Sequence, residues 1–232
     1  MGQLVNGVWT KGSVSNNQKD GSFKRVDSVF RNVISFNDQV YKPETNRYHL
    51  YVSYACPWAH RTLIFRHLKK LENHISVDYV HPDMLENGWS FLKTFPKTTG
   101  DSLHDKKYIH EIYQISDKKV SSKATVPILW DKKTDTIVNN ESAEIIRIMN
   151  SAFNNITKNY DDYYPSSLRI EIDKINKVIY ENINNGVYKS GFSRTQEAYE
   201  DAVTKLFSSV EMSDEILADK EYLVVNEITE AD

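Results

Sequence analysis

The segment that decides the fold reads Tyr51-Val-Ser-Tyr-Ala-Cys56-Pro57-Trp58-Ala59-His60-Arg61, and it places a cysteine between a strand and a helix. The apolar and aromatic residues before the cysteine predict a strand over residues 48–54. Pro57 suits the first position of a helix, where its missing N–H costs nothing. Apolar residues at helical spacing extend that helix over residues 57–71. Cys56 is therefore predicted at a helix N-terminus.

Cys56 is the only cysteine of the 232 residues. The unpaired N–H groups and the positive dipole end of a helix favour an anion, so we expect a thiolate with a pKa lowered from about 8.5. The alternative is an inert buried thiol, since cysteines are among the most buried residue types. One cysteine cannot form an intramolecular disulfide, which favours a reducing compartment.

The composition is that of a soluble globular protein, with 40% hydrophobic and 26% charged residues and a formal net charge of −3. Nothing in this balance points to nucleic acid or to an anionic membrane. No apolar run approaches the roughly 20 residues of a membrane span, and no signal-peptide pattern opens the chain. We therefore expect a cytoplasmic protein. No Cys-x-x-Cys pair or histidine cluster predicts a metal site.

The pattern along the chain predicts an α/β domain between an arm and a helical domain. Residues 1–46, rich in glycine, asparagine and serine (Ser13 and Asn16 among them), predict an extended arm with a basic and aromatic segment from Phe23 to Arg31. Residues 47–152 read as strand, helix and strand, then a polar irregular loop over 83–122. A hairpin over 125–138 and a helix opening at Asn139-Asn-Glu-Ser142 complete the domain.

A polar linker over residues 153–165 precedes a region with helical patterns only, over residues 166–232. Thr229-Glu-Ala-Asp232 has the spacing of a capping box, which begins a helix. The expected fold class is therefore α/β followed by all-α.

Five motifs together resemble one branch of the glutathione transferases. The order of elements resembles that superfamily. A strand, a helix and a strand come first, followed by a strand that begins with Val-Pro, a hairpin, a helix that begins with Glu-Ser, and a helical second domain. Within that superfamily, the chain from about residue 23 to 232 is similar to the glutathionyl-hydroquinone reductases, the Xi-class or omega-like glutathione transferases. The motifs are Cys56-Pro-Trp-Ala-His-Arg61, Gly88-Trp-Ser-Phe91, Thr125-Val-Pro-Ile-Leu-Trp-Asp131, Asn140-Glu-Ser142 and Asn185-Gly-Val-Tyr-Lys-Ser-Gly-Phe192.

The resemblance implies a thioredoxin-like domain that binds glutathione. The Val126–Pro127 peptide is expected to be cis, which in such folds turns the Val126 backbone toward a peptide that pairs like an added strand. The alternative interpretation is that Pro127 is an ordinary trans proline at the start of a strand. Ser142 and the helix N–H groups would hold the γ-glutamyl carboxylate, and Glu141 would pair with the ammonium. From the residues alone, Asn-Glu-Ser is a helix cap.

The resemblance also implies roles for residues outside these two motifs. Trp89 would contact glutathione, although it would otherwise be read as a core anchor. Lys123, followed by Ala124 and Thr125, would meet the glycyl carboxylate, without the bidentate fork of an arginine. Tyr188 would donate a proton to the leaving hydroquinone, although one tyrosine among 14 is structural by default. We do not assign His60 as a general base for Cys56. It lies four residues further along the helix, where we expect its side chain to pack against the protein or to face solvent.

The activity implied is reduction of a glutathionyl-hydroquinone through a Cys56–glutathione mixed disulfide, with glutathione as co-substrate, no metal, and a homodimer as the assembly. An omega-type thioltransferase or dehydroascorbate reductase is the alternative enzyme. Because family members continue beyond a segment matching Thr229–Asp232, we expect an incomplete helical domain. The non-catalytic alternative is therefore a catalytically impaired remnant that still binds glutathione.

Overall fold

The computed structural model describes residues 2–12 and 17–232. Ser13 and Asn16, which fall within the predicted arm, lie outside the described residues. The described residues form two compact units. Residues 2–12 and 28–161 make the first unit, and residues 17–27 and 162–232 make the second.

A four-stranded mixed sheet forms the centre of the first unit. Its strands are β3 (Tyr48–Val52), β4 (Ile75–Tyr79), β5 (Ile128–Asp131) and β6 (Thr136–Asn139), in the spatial order β4-β3-β5-β6. The pairing of β3 with β4 is parallel, and the other two pairings are antiparallel. Every residue of β3 and β5 is buried, as expected for central strands covered on both faces. A separate hairpin joins β1 (Gln3–Val5) to β2 (Val8–Thr10).

In the described part of the first unit, four helices accompany this sheet. They are α1 (Pro57–Leu68), α2 (Ile109–Ser116), α3 (Ser142–Ser151) and the short α4 (Asn154–Thr157). Helix α1 connects the parallel strands β3 and β4 and packs against α3. The thioredoxin-like architecture predicted from the sequence is confirmed.

The prediction that residues 83–122 form an irregular loop is wrong in part, because the segment contains α2. Glu111 caps this helix by accepting hydrogen bonds from the backbone N–H groups of Lys107 and Tyr108, at 2.9 and 2.8 Å. The buried side chains of Ile109, Ile112 and Tyr113 face the core at helical spacing. The helix has only eight residues and follows a run of His, Lys and Asp, so its apolar period is brief.

The second unit is built from helices. Helix α5 (Arg169–Val178) continues into a π-helical turn (Ile179–Asn184), and α6 (Gly186–Gly191) and the long α7 (Gln196–Asp219) follow. At Thr229 the predicted cap is formed in part: its backbone N–H donates to the Asp232 carboxylate at 2.8 Å, within a turn. None of the helices in the described residues combines the length and apolar character that a membrane crossing requires.

The predicted arm (residues 1–46) and linker (residues 153–165) are each split between the two units, and they contain elements that the sequence did not predict. Residues 2–12 hold the β1–β2 hairpin, and the segment around Phe30 and Asn32 runs beside β6 through backbone hydrogen bonds at 2.9–3.0 Å. Residues 17–27 belong to the second unit, and residues 153–161, with α4, belong to the first. The arm is therefore no single extended segment, and the domain bounds stay a prediction.

Candidate active site

Cys56 occupies the N-cap of α1, directly after the loop that leaves β3. Its backbone is extended, with φ −102° and ψ 110°, and its carbonyl oxygen accepts the N–H groups of Ala59 and His60 at 3.1 and 3.0 Å. The side chain is 7% exposed, and Sγ donates to the Val126 carbonyl oxygen at 3.4 Å. The predicted thiol position at a helix N-terminus is confirmed. His60 is exposed on the helix.

The segment Thr125–Pro127, which faces the thiol, is held in place by hydrogen bonds to the buried Tyr113. The Val126–Pro127 peptide is cis, as predicted. The Tyr113 hydroxyl of α2 lies 3.1 Å from the Thr125 carbonyl oxygen and accepts the Thr125 N–H at 3.2 Å. It also accepts the Asn140 side-chain amide at 2.9 Å. Burial raises the pKa of Tyr113, although its hydrogen bonds to Thr125 and Asn140 work in the opposite direction.

Four of the predicted glutathione-binding residues line one cavity in the first unit. It has a volume of about 70 Å³, which suits part of a tripeptide rather than the whole. Two lining residues, Gly2 and Trp9, come from the N-terminal hairpin, so the hairpin supplies part of the wall. The lining residues are Gly2, Trp9, Met84, Gly88, Trp89, Lys123, Ala124 and Thr125.

The beginning of α3 carries the other predicted binding group. Glu141 is the N-cap, and its carboxylate accepts the Ala143 N–H at 3.3 Å and the Ser28 hydroxyl at 3.0 Å. Ser142 is buried, and its hydroxyl oxygen accepts two hydrogen bonds from the Arg61 guanidinium. The helix-cap interpretation of Glu141 is confirmed. The cap leaves further lone pairs on the carboxylate for a ligand.

Tyr188 lies on α6 in the second unit, directly after the π-helical turn. The Arg25 guanidinium stacks on its ring, with Cζ 4.4 Å from the ring centroid, and Arg25 Nε donates to the Asn185 side-chain oxygen at 2.5 Å. Short π-helical segments are frequent at functional sites. The predicted catalytic role of Tyr188 stays a prediction.

Sequence reasoning missed three residues that shape this site: Trp9, Arg61 and Tyr113. Arg61 stands inside the motif that decided the fold, five residues after Cys56, but its partner Ser142 is 81 residues away. Trp9 and Tyr113 carry no local signal beyond being aromatic. A helix assigned over 109–116 would have pointed to Tyr113, because its spacing from Ile109 places both on one face.

A thioredoxin-like unit with its thiol at the N-terminus of the first helix, a cis-proline segment opposite that thiol and a helical second unit define a glutathione transferase. Residues 55–152 match the family model described as glutathione S-transferase, N-terminal domain. Across residues 2–12 and 17–232, no three His, Cys, Asp or Glu side chains cluster as metal ligands would.

Similar proteins narrow the class. The chain is 48% identical to the glutathionyl-hydroquinone reductase YqjG of Escherichia coli strain K12, over 100% of this chain and 73% of that protein. The glutathione-bound structure of YqjG superposes with a TM-score of 0.88 at 46% identity, covering 99% of this chain and 71% of the other. A Xi-class glutathione transferase from Natrialba magadii gives 0.91 at 44% identity, covering 100% and 70%. The chain belongs to the glutathionyl-hydroquinone reductases, the Xi class of glutathione transferases.

Proposed function

We propose that this chain reduces glutathionyl-hydroquinones to hydroquinones, with glutathione as the co-substrate. The observation that carries the proposal is the position of Cys56, which caps α1 with its sulfur 3.4 Å from the Val126 carbonyl oxygen. A peptide that pairs with the Val126 backbone would bring its own sulfur beside this thiol. The name of the similar reductase from Escherichia coli agrees with this chemistry.

The reaction begins with attack of the Cys56 thiolate on the sulfur of the substrate thioether. A sulfur–sulfur bond forms, the carbon–sulfur bond breaks, and the aromatic carbon takes a proton to give the hydroquinone. The enzyme is left as a Cys56–glutathione mixed disulfide. A second glutathione thiolate attacks the glutathione sulfur of that disulfide, which releases oxidised glutathione and restores Cys56. A single cysteine suits this route, because no resolving cysteine is required.

Glutathione would lie across the two groups of residues in the first unit. The Val126 backbone would pair with its cysteinyl part, and the cavity formed with Trp89, Ala124 and Thr125 would hold its glycyl end. Lys123 lines that cavity and supplies a cation for the glycyl carboxylate. At the beginning of α3, Ser142 and the helix N–H groups would hold the γ-glutamyl carboxylate, with Glu141 on the ammonium.

Replacing Cys56 tests the nucleophile directly. Cys56→Ser should abolish turnover of 2-glutathionyl-1,4-hydroquinone and still bind glutathione, because the residues proposed to bind the peptide are unchanged. Intact-protein mass spectrometry during turnover should show one glutathionyl group on the original chain and none on the variant. Wild-type turnover by Cys56→Ser would refute the scheme. Comparing the thioether with a glutathionylated small disulfide or dehydroascorbate separates the omega-type alternative.

Replacing Tyr188 tests the proton donor. Tyr188→Phe keeps the ring that Arg25 covers and removes the hydroxyl that is proposed to donate the proton. We expect kcat for the thioether to fall by about 10²- to 10⁴-fold, as for loss of a general acid. Reduction of a mixed disulfide should be unaffected, because a thiolate leaving group needs no proton. Equal losses on both substrates would contradict the assignment.

The assembly and the location of the protein are also part of the proposal. We propose a cytoplasmic homodimer, in agreement with the family resemblance and with the single cysteine, which suits a reducing compartment. Light scattering on the purified chain measures its mass in solution. A monomer at micromolar concentration would contradict the dimer.

A further inference from the structure

Arg61 connects the helix that carries the thiol to the beginning of α3. Its Nε and Nη2 atoms both donate to the hydroxyl oxygen of Ser142, at 3.0 and 2.7 Å. The same Nη2 lies 3.9 Å from the Glu141 carboxylate, and the guanidinium carbon lies 5.4 Å from the centroid of the Trp58 ring. The Arg61 side chain is 27% exposed. The guanidinium therefore sits at the edge of the proposed γ-glutamyl site, partly open to solvent.

The fork of Arg61 determines what the Ser142 hydroxyl can do. A hydroxyl group has one O–H donor and two lone pairs, and Arg61 uses both lone pairs. The hydroxyl hydrogen must then point away from the guanidinium, and it donates to none of the residues that the structure describes. Ser142 is only 2% exposed, so water reaches this group poorly. A buried donor in this state gains most from an acceptor brought by a ligand.

We propose that Arg61 is a positioning residue for glutathione: it fixes the Ser142 hydroxyl as a hydrogen-bond donor toward the α-carboxylate of the γ-glutamyl group. This inference rests on the function proposed above. The positive guanidinium beside the N-terminal end of α3 adds to the attraction for that carboxylate. Arg61 acts on binding rather than on the sulfur chemistry, because its guanidinium donates to Ser142 at the proposed γ-glutamyl site.

A lysine at position 61 removes the fork and keeps the charge, since an ammonium is a point charge that cannot match the rigid guanidinium geometry. Arg66 provides a matched control on the same helix. It donates to the carbonyl oxygens of Ile75 and Glu72, at 2.8 and 3.0 Å, away from the site. Arg66→Lys therefore reports the cost of losing an arginine from α1, whereas Arg61→Lys reports the loss of the Ser142 contact.

The experiment measures dissociation constants by calorimetry in the presence of a phosphine reductant. The two ligands are glutathione and 4-aminobutyryl-cysteinyl-glycine, which keeps the amine and lacks the α-carboxylate. For Arg61→Lys we expect about a ten-fold weaker affinity for glutathione, the effect of losing one charge-assisted hydrogen bond, and an unchanged affinity for the analogue. Arg66→Lys should leave both affinities unchanged. With the thioether and glutathione both saturating, kcat of Arg61→Lys should fall far less than the affinity for glutathione, because a lost binding contact appears mainly in KM.

A double-variant cycle tests whether Arg61 acts through Ser142. In the Ser142→Ala background, Arg61→Lys should cause little further loss, because there is no hydroxyl left to orient. Additive losses, or equal losses with both ligands, would overturn the proposal. Should Arg61→Lys fail to fold, Arg61→Gln is measured in its place, with the same expectations. Undiminished glutathione affinity in a folded variant overturns this inference alone, whereas a lack of glutathione binding by the original chain overturns the proposed function with it.

Discussion

The Cys56 sulfur is subject to two neighbours that favour different forms of the group. The N-terminal end of α1 favours an anion there. The Val126 carbonyl oxygen, 3.4 Å away, accepts the proton of a neutral thiol and can form no hydrogen bond with a thiolate. A ligand N–H that takes up the same carbonyl would remove the interaction that favours the neutral thiol. The groups that hold Val126 in place therefore matter for reactivity as well as for binding.

Tyr113 holds the segment before Val126 through hydrogen bonds of its hydroxyl to Thr125. Removing that hydroxyl tests its role. Tyr113→Phe leaves the Thr125 N–H and the Asn140 amide without their acceptor in a fully buried place. We expect the free energy of unfolding, measured in urea, to fall by about 1–3 kcal/mol. The KM for glutathione should also rise, because Thr125 and Asn140 adjoin the two halves of the proposed binding site.

Tyr48 supplies the control for that variant. Its hydroxyl donates to the Lys42 carbonyl oxygen at 2.7 Å, and it is as deeply buried as Tyr113. Tyr48→Phe should lower stability as well, without a change in the KM for glutathione, because Lys42 has no part in the site. A rise of KM in both variants would mean that lower stability, rather than the Thr125 contact, weakens binding.

At the scale of elements, the N-terminal β1–β2 hairpin forms part of the wall of the cavity. Trp9 on β2 stacks on His110 of α2, with ring centroids 4.3 Å apart and an angle of 11° between the rings. His110 stacks in turn on Tyr108, at 5.2 Å. Leu4 and Ser122 exchange backbone hydrogen bonds at 2.9 and 3.1 Å. The hairpin thus pairs with the segment that leads directly into Lys123.

Removing the stack should loosen the hairpin and the wall together. For Trp9→Ala we expect a loss of about 1 kcal/mol for the aromatic pair, in addition to the apolar area it exposes. Hydrogen exchange at the Leu4 and Ser122 amides should become faster, and the KM for glutathione should rise. Val8→Ala, at a position that is 66% exposed on the same strand, is the matched control. Slow exchange at both amides in Trp9→Ala would contradict the role of the stack.

The elements that sequence analysis found and those it missed differ in how their residues are stabilised. Strands β3 and β5 are mostly apolar or aromatic, α1 begins with Pro57, and α3 begins with a capping residue, so their local sequence was sufficient. Helix α2 is short and depends on burial of Ile109, Ile112 and Tyr113 against the core. The segment beside β6 is held by backbone hydrogen bonds, which carry little sequence signal, and by the pairing of Arg31 with Glu144, 113 residues away. The contact of Arg61 with Ser142 arises only once α1 packs on α3.

At the scale of the whole molecule, a buried ion pair between Arg47 and Asp131 lies at one end of the central strands of the first unit. Arg47, directly before β3, donates from Nε and Nη2 to the two carboxylate oxygens of Asp131 at the end of β5, at 2.8 and 2.6 Å. Asp131 is fully buried, and the Arg47 side chain is 4% exposed. Such a pair adds little over apolar packing, but breaking it leaves a buried charge without compensation. The pair therefore makes the unit sensitive to acid.

The sign of that sensitivity follows from the pKa of Asp131. Burial would raise this pKa, but hydrogen bonds from Arg47, the Thr134 hydroxyl and the Lys133 N–H outweigh it and lower the pKa below the usual 3.8. A carboxyl whose pKa is lower in the folded state contributes stability above its unfolded pKa, near pH 4, and that contribution disappears as the pH falls through the folded value. We therefore expect the unfolding free energy of the first unit to decrease below about pH 4.

Asp131→Asn isolates this contribution. The amide is close in size to the carboxylate but carries no charge, and among the described residues Arg47 then keeps only the more exposed Glu44 as an ionic partner, so we expect a loss of at most about 3–5 kcal/mol at pH 7. The loss should shrink as the pH falls below about 4, because the original chain is then losing the same charge. Glu86→Gln, at an exposed pair with Lys11, should change stability by less than about 1 kcal/mol at any pH. Urea unfolding of the three proteins at a series of pH values measures these differences. A loss for Asp131→Asn that stays constant from pH 7 to the lowest pH would show that the stability comes from packing around position 131 and not from the ion pair.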